Sequence, residues 1–430
     1  MYIQRHPPVP PESTEAIEST LVVKATEQQG IIRPWWWAAL AVLPVFVITR
    51  FVFLTLTYFG GVLFFVSNYW PGHRSFYDIL SIWYRWDVVR FATIATHGYI
   101  SLEYAAFFPL YPALEHVLSG LFRGNVLVAG MVISNVAYLA ALVVLYRLVE
   151  MEFDSATAQR TALYLSIFPS ALFFFAAYNE SLFLFFMLLC FYALRRGSWW
   201  LAGLCGGLAT LTRSIGLLLF VIFLCEFARQ MLPRLRQAWR DRQPLRGFVL
   251  LTGLAASLLI PLGLAIFAYM LNLRFHDPLA FTHAQVHWRE GLSLPWTAPL
   301  IAIKSIVHLS PFTFAVAHDV IDLTALCLFL VLMVLCFVGP ERFARDQWTF
   351  ALFGLIALTY ALLFPGIPGA GGIPYDPLPS TQRFVLEIFA GFIVLARFGR
   401  RSWFHQTYLL IALPLLAFLT LQFLTGHWTV

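Results

Sequence analysis

Long apolar runs follow one another along almost the whole chain, separated by short polar turns, and that pattern dictates the solvent in which it can fold. The runs lie near Trp35–Leu56, Val126–Val149, Thr161–Ala177, Ser181–Leu194, Trp199–Leu211, Ile215–Phe227, Phe248–Leu271, Val320–Phe337, Phe350–Phe364, Phe384–Ala396 and Tyr408–Leu424. A bilayer-crossing helix needs about 20 predominantly apolar residues. Read on that basis, the sequence predicts an all-α polytopic integral membrane protein with about eleven transmembrane helices. Composition agrees: 60% of the 430 residues are hydrophobic and only 12% are charged, where a soluble domain carries about a quarter. Lipid solves the problem of hiding so much apolar surface, because a helix satisfies its own backbone there.

Charge gives the chain a direction. The formal net charge is +6, which on a soluble protein would suggest nucleic acid. Here the arginines fall in turns between the apolar runs, so no nucleic-acid partner is expected. Short loops rich in Lys and Arg stay on the cytoplasmic side. An N-terminus inside places Arg147, Arg160, Arg195, Arg196, the run Arg229–Arg246, Arg342, Arg345, Arg397, Arg400 and Arg401 together in the cytoplasm. The reverse orientation would translocate nearly all of them. Residues 1–33, polar and carrying Pro7, Pro8, Pro10 and Pro11, read as a disordered cytoplasmic tail. Residues 34–430 then form one transmembrane domain. Its two long outer-face loops, 67–125 and 272–318, carry interfacial helices. The five cysteines all sit within apolar runs and form no CxxC, which excludes a disulfide framework.

The candidate chemistry gathers on that outer face. Trp86-Asp87 opens a stretch with helical spacing, Val88–His97, whose Val88, Phe91, Ile94 and Ala95 share one face. Asp87 is either the N-cap of that helix or a carboxylate at the mouth of a membrane cavity, able to act as a general base. Tyr178-Asn179-Glu180 occupies a turn between two apolar runs. Glu180 there is either a first-turn helix acid or a site residue. Arg213 and Arg383 stand at other outer turns, either snorkelling or holding a phosphate with the guanidinium fork. Arg50 lies in the first span, where a charge needs a partner. His283 and His287, at i and i+4, are a weak metal pair, and an interfacial helix is the plainer reading. No Walker A loop, dinucleotide glycine fingerprint or nucleophile elbow is present, which excludes an ATP-driven pump or a cytosolic nucleotide-sugar site of those types.

An ordered set of short motifs resembles the PIG-V family, of the GPI mannosyltransferase 2 type, and its prokaryotic relatives. The set comprises Trp86-Asp87, His97-Gly98-Tyr99 and Phe107–Pro112; Phe168-Pro169-Ser170 with Tyr178-Asn179-Glu180-Ser181; Gly203–Leu211 with Thr212-Arg213; Asp277–Phe281 with Gln285 and Trp288; and Gln382-Arg383-Phe384. Each motif is weak alone; order and spacing carry the match. The resemblance implies a GT-C membrane glycosyltransferase at the plasma membrane, with its active site on the extracytoplasmic face. It implies transfer of a hexose, mannose above all, from a polyprenyl-phosphate sugar to a lipid-linked or surface acceptor. Asp87 would be the catalytic base. Arg213 and Arg383, with Arg50 behind them, would hold the donor phosphate. Trp86, Tyr178, Glu180, Gln285 and Trp288 would contact substrate. The GT-C pattern of two neighbouring acids is missing, since no acid stands between Asp78 and Glu103 other than Asp87. No metal and no cofactor are therefore expected. A transporter or flippase of lipid-linked sugars is the rival reading, and a non-catalytic subunit of a glycosylation complex is another.

Overall fold

The computed structural model describes residues 34–64, 75–240, 247–367 and 375–427. The proposed tail, the start of the first outer loop, Arg242 and Arg246 lie outside the described residues. Helix α1 spans Trp35–Phe59, α2 Asp87–His97, α3 Leu110–Ser119, α4 Val126–Glu152, α5 Ser155–Ser166, α6 Glu180–Arg195, α7 Trp199–Thr212 and α8 Leu218–Arg240. Then come α9 Gly247–Ser257, α10 Leu259–Phe275, α11 Thr297–His308, α12 Phe314–Leu335, α13 Trp348–Leu362, α14 Thr381–Phe384, α15 Phe389–Phe398 and α16 Ser402–Leu424. Among the described residues the only extended pairing is a single bridge between Arg289 and Gly366.

Among the described residues, six segments are long and apolar enough to cross a membrane by themselves: Trp35–Leu63, Val126–Glu152, Ser214–Arg240, Leu251–Phe275, Phe314–Leu335 and Ser402–Leu424. The protein is thus an all-helical, membrane-embedded chain. The other apolar runs make shorter helices. The run Thr161–Ala177 departs most from expectation: α5 stops at Ser166, and Ala171–Phe174 form a separate 3-10 turn. Pro169 explains the break, because it cannot donate to an α-helical ladder and pushes the residue before it out of helical geometry. The run Phe384–Ala396 divides similarly, with α14 and a 3-10 turn, Val385–Glu387, preceding α15. The second outer loop ends earlier than expected, since Thr313 caps α12 through its side chain and the helix starts at Phe314.

The core is built around α4, α6, α7 and α15. Tyr138 on α4 stacks on Phe174 at 4.3 Å. Phe191 on α6 meets Phe350, Phe353 and Phe389 edge-on. Where α7 crosses α9 and α10, Gly203 and Gly207, one turn apart, bring the backbones together. A Cβ on Gly207 would lie 2.5 Å from the Leu259 carbonyl oxygen. Small residues at this spacing allow close approach in lipid, where van der Waals packing must replace the hydrophobic effect between helices.

The basic turns converge on one end of the bundle. Arg195 reaches Glu152, Glu226 and Asp346; Arg397 pairs with Glu341; Arg400 pairs with Asp154. Glu180 and Arg195 bound opposite ends of the same helix α6, about 22 Å apart at 1.5 Å per residue. The Glu180 end of α6 therefore lies far from the basic turns.

Candidate active site

Helix α2 begins at Asp87, and the residue before it sets its direction. Trp86 takes φ 53°, in the left-handed region, which a bulky residue adopts only when its surroundings hold it there. Trp86 is the N-cap and makes no side-chain capping bond. Asp87 is the first helical residue, so the N-cap alternative is not what the structure shows. The adjoining Trp83 is fully buried and donates its indole N–H to Thr57 Oγ1 at 3.0 Å, fixing the turn against α1. Val88, Phe91, Ile94 and Ala95 are buried, as their spacing predicts.

Arg383 arrives by a parallel device. Ser380 also sits in the left-handed region, φ 64°, and starts the short turn α14. Ser170 donates to the Gln382 carbonyl at 2.7 Å and locks that turn to the core. Arg383 then reaches across 296 positions of sequence to donate from Nη1 to Asp87 Oδ2 at 2.7 Å. Its Nε donates to Glu180 Oε1 at 2.8 Å. The guanidinium lies over the Tyr178 ring at 4.8 Å and the Phe173 ring at 5.1 Å. Glu180 is completely buried and also accepts from Arg213 Nη1 at 2.8 Å. The same Arg213 nitrogen is 2.9 Å from Glu387. Asn179 donates to the Thr212 carbonyl at 2.9 Å, tying the Glu180 turn to the Arg213 turn. Residues far apart in sequence thus form one ion network: Asp87, Arg383, Glu180, Arg213 and Glu387.

Three members of the network open onto a cavity of about 360 Å³. Asp87, Arg213, Arg383, Gln285, Trp288 and Arg289 line it, with Phe91, Phe107, Phe108, Phe281 and Phe384 among its apolar walls. Asp87 has 22% of its side chain exposed; Glu180 has none. Three of the expected site residues stay behind this surface. Trp86, Tyr178 and Glu180 do not line the cavity; the Tyr178 ring and the Glu180 carboxylate support Arg383 from beneath. Arg50 is a clearer departure. It donates to Asn135 Oδ1 at 3.2 Å and sits among the rings of Phe46, Phe53, Tyr138 and Phe175. Its partners are aromatic faces and an amide, its Nε and Nη2 find no hydrogen-bond acceptor among the described residues, and it does not line the cavity, so the structure does not bring it to a donor phosphate.

Arg289 is the residue that sequence reading passed over. It donates to the Phe364 carbonyl at 2.9 Å and the Pro379 carbonyl at 3.3 Å. It shares the Phe384 ring with Arg213, each guanidinium 5.3 Å from the centroid. Among the described residues no carboxylate lies within ion-pair distance of it. Burial makes its charge costly and lowers its pKa, against the favourable influence of Tyr360 and Asp376. The signal was its place one residue after Trp288, within the family-like segment. The histidine pair does not form a metal site in the way its spacing suggested. His283 ends a short helix, Ala280–His283, and pairs with Asp277 at 2.7 Å, whereas His287 belongs to the following 3-10 turn.

A second polar cluster adjoins the cavity. His318 and Asp322, at i and i+4 on α12, face Asp376 from the loop before α14, and their donor atoms all lie within 4.8 Å of one another. Burial and the Asp322 carboxylate push Asp376 up to about 7. Two acids and a histidine in or beside an apolar run were the available sequence signal.

Comparison with known proteins places the chain. A family described as mannosyltransferase (PIG-V) matches residues 58–297. The chain is 30% identical over 152 residues to GPI mannosyltransferase 2 of Cryptococcus neoformans, covering 33% of this chain and 36% of that protein. It is 31% identical over 206 residues to GPI alpha-1,6-mannosyltransferase 2 of Mus musculus, covering 45% of this chain and 41% of that protein. The chain therefore spans well under half the length of either relative. Among solved structures, the Archaeoglobus fulgidus oligosaccharyltransferase in the apo form is similar with a TM-score of 0.44 and 13% identity, over 90% of this chain and 56% of that one. ArnT from Cupriavidus metallidurans bound to undecaprenyl phosphate gives a TM-score of 0.38 and 15% identity, over 88% and 77%. Both scores are below 0.5.

Proposed function

The chain belongs to the mannosyltransferase (PIG-V) family, and from that premise we propose that it transfers mannose from a polyprenyl-phosphate sugar to a hydroxyl of a lipid-linked or surface acceptor, at the outer face of the plasma membrane. The observation that carries this reading is the cavity that sets the partly open carboxylate of Asp87 beside Arg383, Arg213 and Arg289. One carboxylate and a bank of cations are what the transfer needs. The acceptor oxygen forms its bond to the anomeric carbon while the bond from that carbon to the phosphate oxygen breaks. The acceptor proton passes to Asp87, and the electron pair leaves with the polyprenyl phosphate. A single displacement of this kind inverts the anomeric centre.

The arginines divide the work. Arg289 has no ion-pair partner among the described residues and is the first candidate for the leaving phosphate. Arg213 and Arg383 are held by Glu180, which fixes where their remaining N–H groups point. Arg383 also holds Asp87. Phosphate binding beside Arg383 weakens its grip on Asp87 and raises the availability of that carboxylate as a base. The aromatic walls, with Trp288 and Gln285, suit a sugar ring with apolar and polar faces. No step in this reading calls for a cofactor.

Reconstitution in liposomes with radiolabelled polyprenyl-phosphate mannose tests the proposal. A labelled product that requires Asp87, and carries an inverted mannosyl linkage, is the expected result. Binding or transbilayer movement of the donor without any glycosidic product, across a panel of hydroxyl-bearing lipid acceptors, would favour the transporter reading instead.

A further inference from the structure

The cluster beside the cavity goes beyond that reading and does not depend on it. Asp322 is fully buried, 0% exposed, and neither of its carboxylate oxygens accepts a hydrogen bond from a described residue. An ionised carboxylate in that position is costly unless a cation meets it. The His318 imidazole Nδ1 lies 2.9 Å from Asp322 Oδ2 and 3.8 Å from Asp376 Oδ2. Asp376 is oriented by its own loop: Oδ1 accepts from the Leu378 N–H at 2.9 Å, which leaves Oδ2 turned into the cluster without a hydrogen bond from a described residue. Asp319, 1% exposed, adds a further carboxylate from α12 nearby. Negative charge thus exceeds what one imidazole can neutralise.

We propose that His318, Asp322 and Asp376 bind a divalent transition-metal cation, Zn²⁺ ahead of Mn²⁺, which clamps the 375–380 loop to α12. Ligand atoms about 2.0–2.2 Å from a common zinc ion stand roughly 3–4 Å apart. The donor atoms here already span no more than 4.8 Å, so small side-chain rotations close the site. One nitrogen and two carboxylate oxygens favour zinc or manganese; magnesium and calcium prefer all-oxygen shells. The clamp matters for the cavity because the loop it holds continues through Pro379, whose carbonyl accepts from Arg289, to Ser380 and Arg383. The cation is a positioning ion in this scheme and takes no step in transfer.

The test is metal content, read before any activity. Wild-type protein is purified in detergent, stripped with a chelator, and dialysed against Zn²⁺, Mn²⁺ or Mg²⁺ separately. Elemental mass spectrometry is expected to find a stoichiometric equivalent of zinc, less manganese and background magnesium. Zinc is expected to raise the apparent Tm of the stripped protein. Asp322→Asn and His318→Gln should lower zinc affinity by more than the roughly 10–100-fold that loss of an outer-shell partner costs. His283→Ala, which removes a surface histidine paired with Asp277, should leave zinc content unchanged. Stripped wild-type protein that takes up no zinc and shows no rise in Tm would overturn the proposal, and the cluster would then be held by shared protons. Because wild-type loading is measured first, a variant that fails to fold does not spoil the test. Equal zinc uptake by wild type and a folded Asp322→Asn protein would also overturn it.

Discussion

Asp87 is held on one side by Arg383 and open to the cavity on the other, and this division makes its substitution informative. Asp87→Asn keeps the size of the side chain, and Glu180 remains to neutralise Arg383. The variant is therefore expected to fold with an unchanged apparent Tm and to lose transfer by about 10² to 10⁴-fold, the usual contribution of a positioned base. Near-normal turnover by the folded variant would remove Asp87 from the mechanism. Arg289 and Arg383 should part company under alanine substitution. Arg289→Ala removes a cation with no carboxylate to strand, so the protein should stay stable. Its donor use should fall by roughly 10- to 150-fold, equivalent to one charge-assisted hydrogen bond of about 1.5–3 kcal/mol. Arg383→Ala leaves Glu180 buried with one fewer partner, and breaking a buried pair typically costs about 3–5 kcal/mol. Loss of expression and of apparent Tm should precede any kinetic effect there. A donor KM and kcat unaltered by Arg289→Ala would dismiss it as the phosphate ligand.

Elements show what the sequence could and could not reveal. Apolar runs mark helices because lipid demands them, and every run named from sequence contains helix. Helix breaks were harder. Pro169 interrupts one run, whereas Pro44, Pro233 and Pro414 lie inside continuous helices, so neighbouring structure decides which proline breaks a ladder. Asp87, Arg213 and Arg383 were visible because charges at the ends of apolar runs are conspicuous. The Glu180 bridge between two arginines was not visible, since its pairing partners lie 33 and 203 positions away. Arg50 misled for a related reason: Phe46 and Phe53 come from its own helix, but Tyr138, Phe175 and Asn135, which complete its surroundings, lie far along the chain. The Gly203–Gly207 contact was quoted only as part of a motif, yet it sets how closely α7 approaches α9 and α10. Gly207→Val places a side chain against the Leu259 carbonyl. Overpacking of this kind costs about 1–3 kcal/mol. A lower apparent Tm is expected, with reduced activity because α7 delivers Thr212 and Arg213 to the site. Gly120→Ala, with nothing within 4 Å of its added Cβ, is the control and should behave as wild type.

At the scale of the whole molecule, the polarity of the bundle makes the remaining commitment. The basic turns gather at one end and the cavity at the other, so the positive-inside bias predicts that the cavity faces outward. Nothing in the fold forces that orientation apart from this charge asymmetry, which makes it directly testable. With the five native cysteines replaced, single cysteines are introduced at two exposed positions. One is His283, beside the cavity, with 59% of its side chain exposed; the other is Arg236, near the end of α8 in the basic run. Neither belongs to the ion network. In intact cells an impermeant maleimide should label the His283→Cys protein and should label Arg236→Cys only after the membrane is opened. The reverse pattern would place the cavity in the cytoplasm, where a polyprenyl-phosphate sugar would have to be used from the inner leaflet. Labelling of both sites in intact, unbroken cells would mean a mixed population, and an outward site could not then be the basis of function. The expected pattern fixes the side on which donor and acceptor must both be presented. It also predicts that acceptors confined to the cytoplasm remain unmodified even when the donor is abundant.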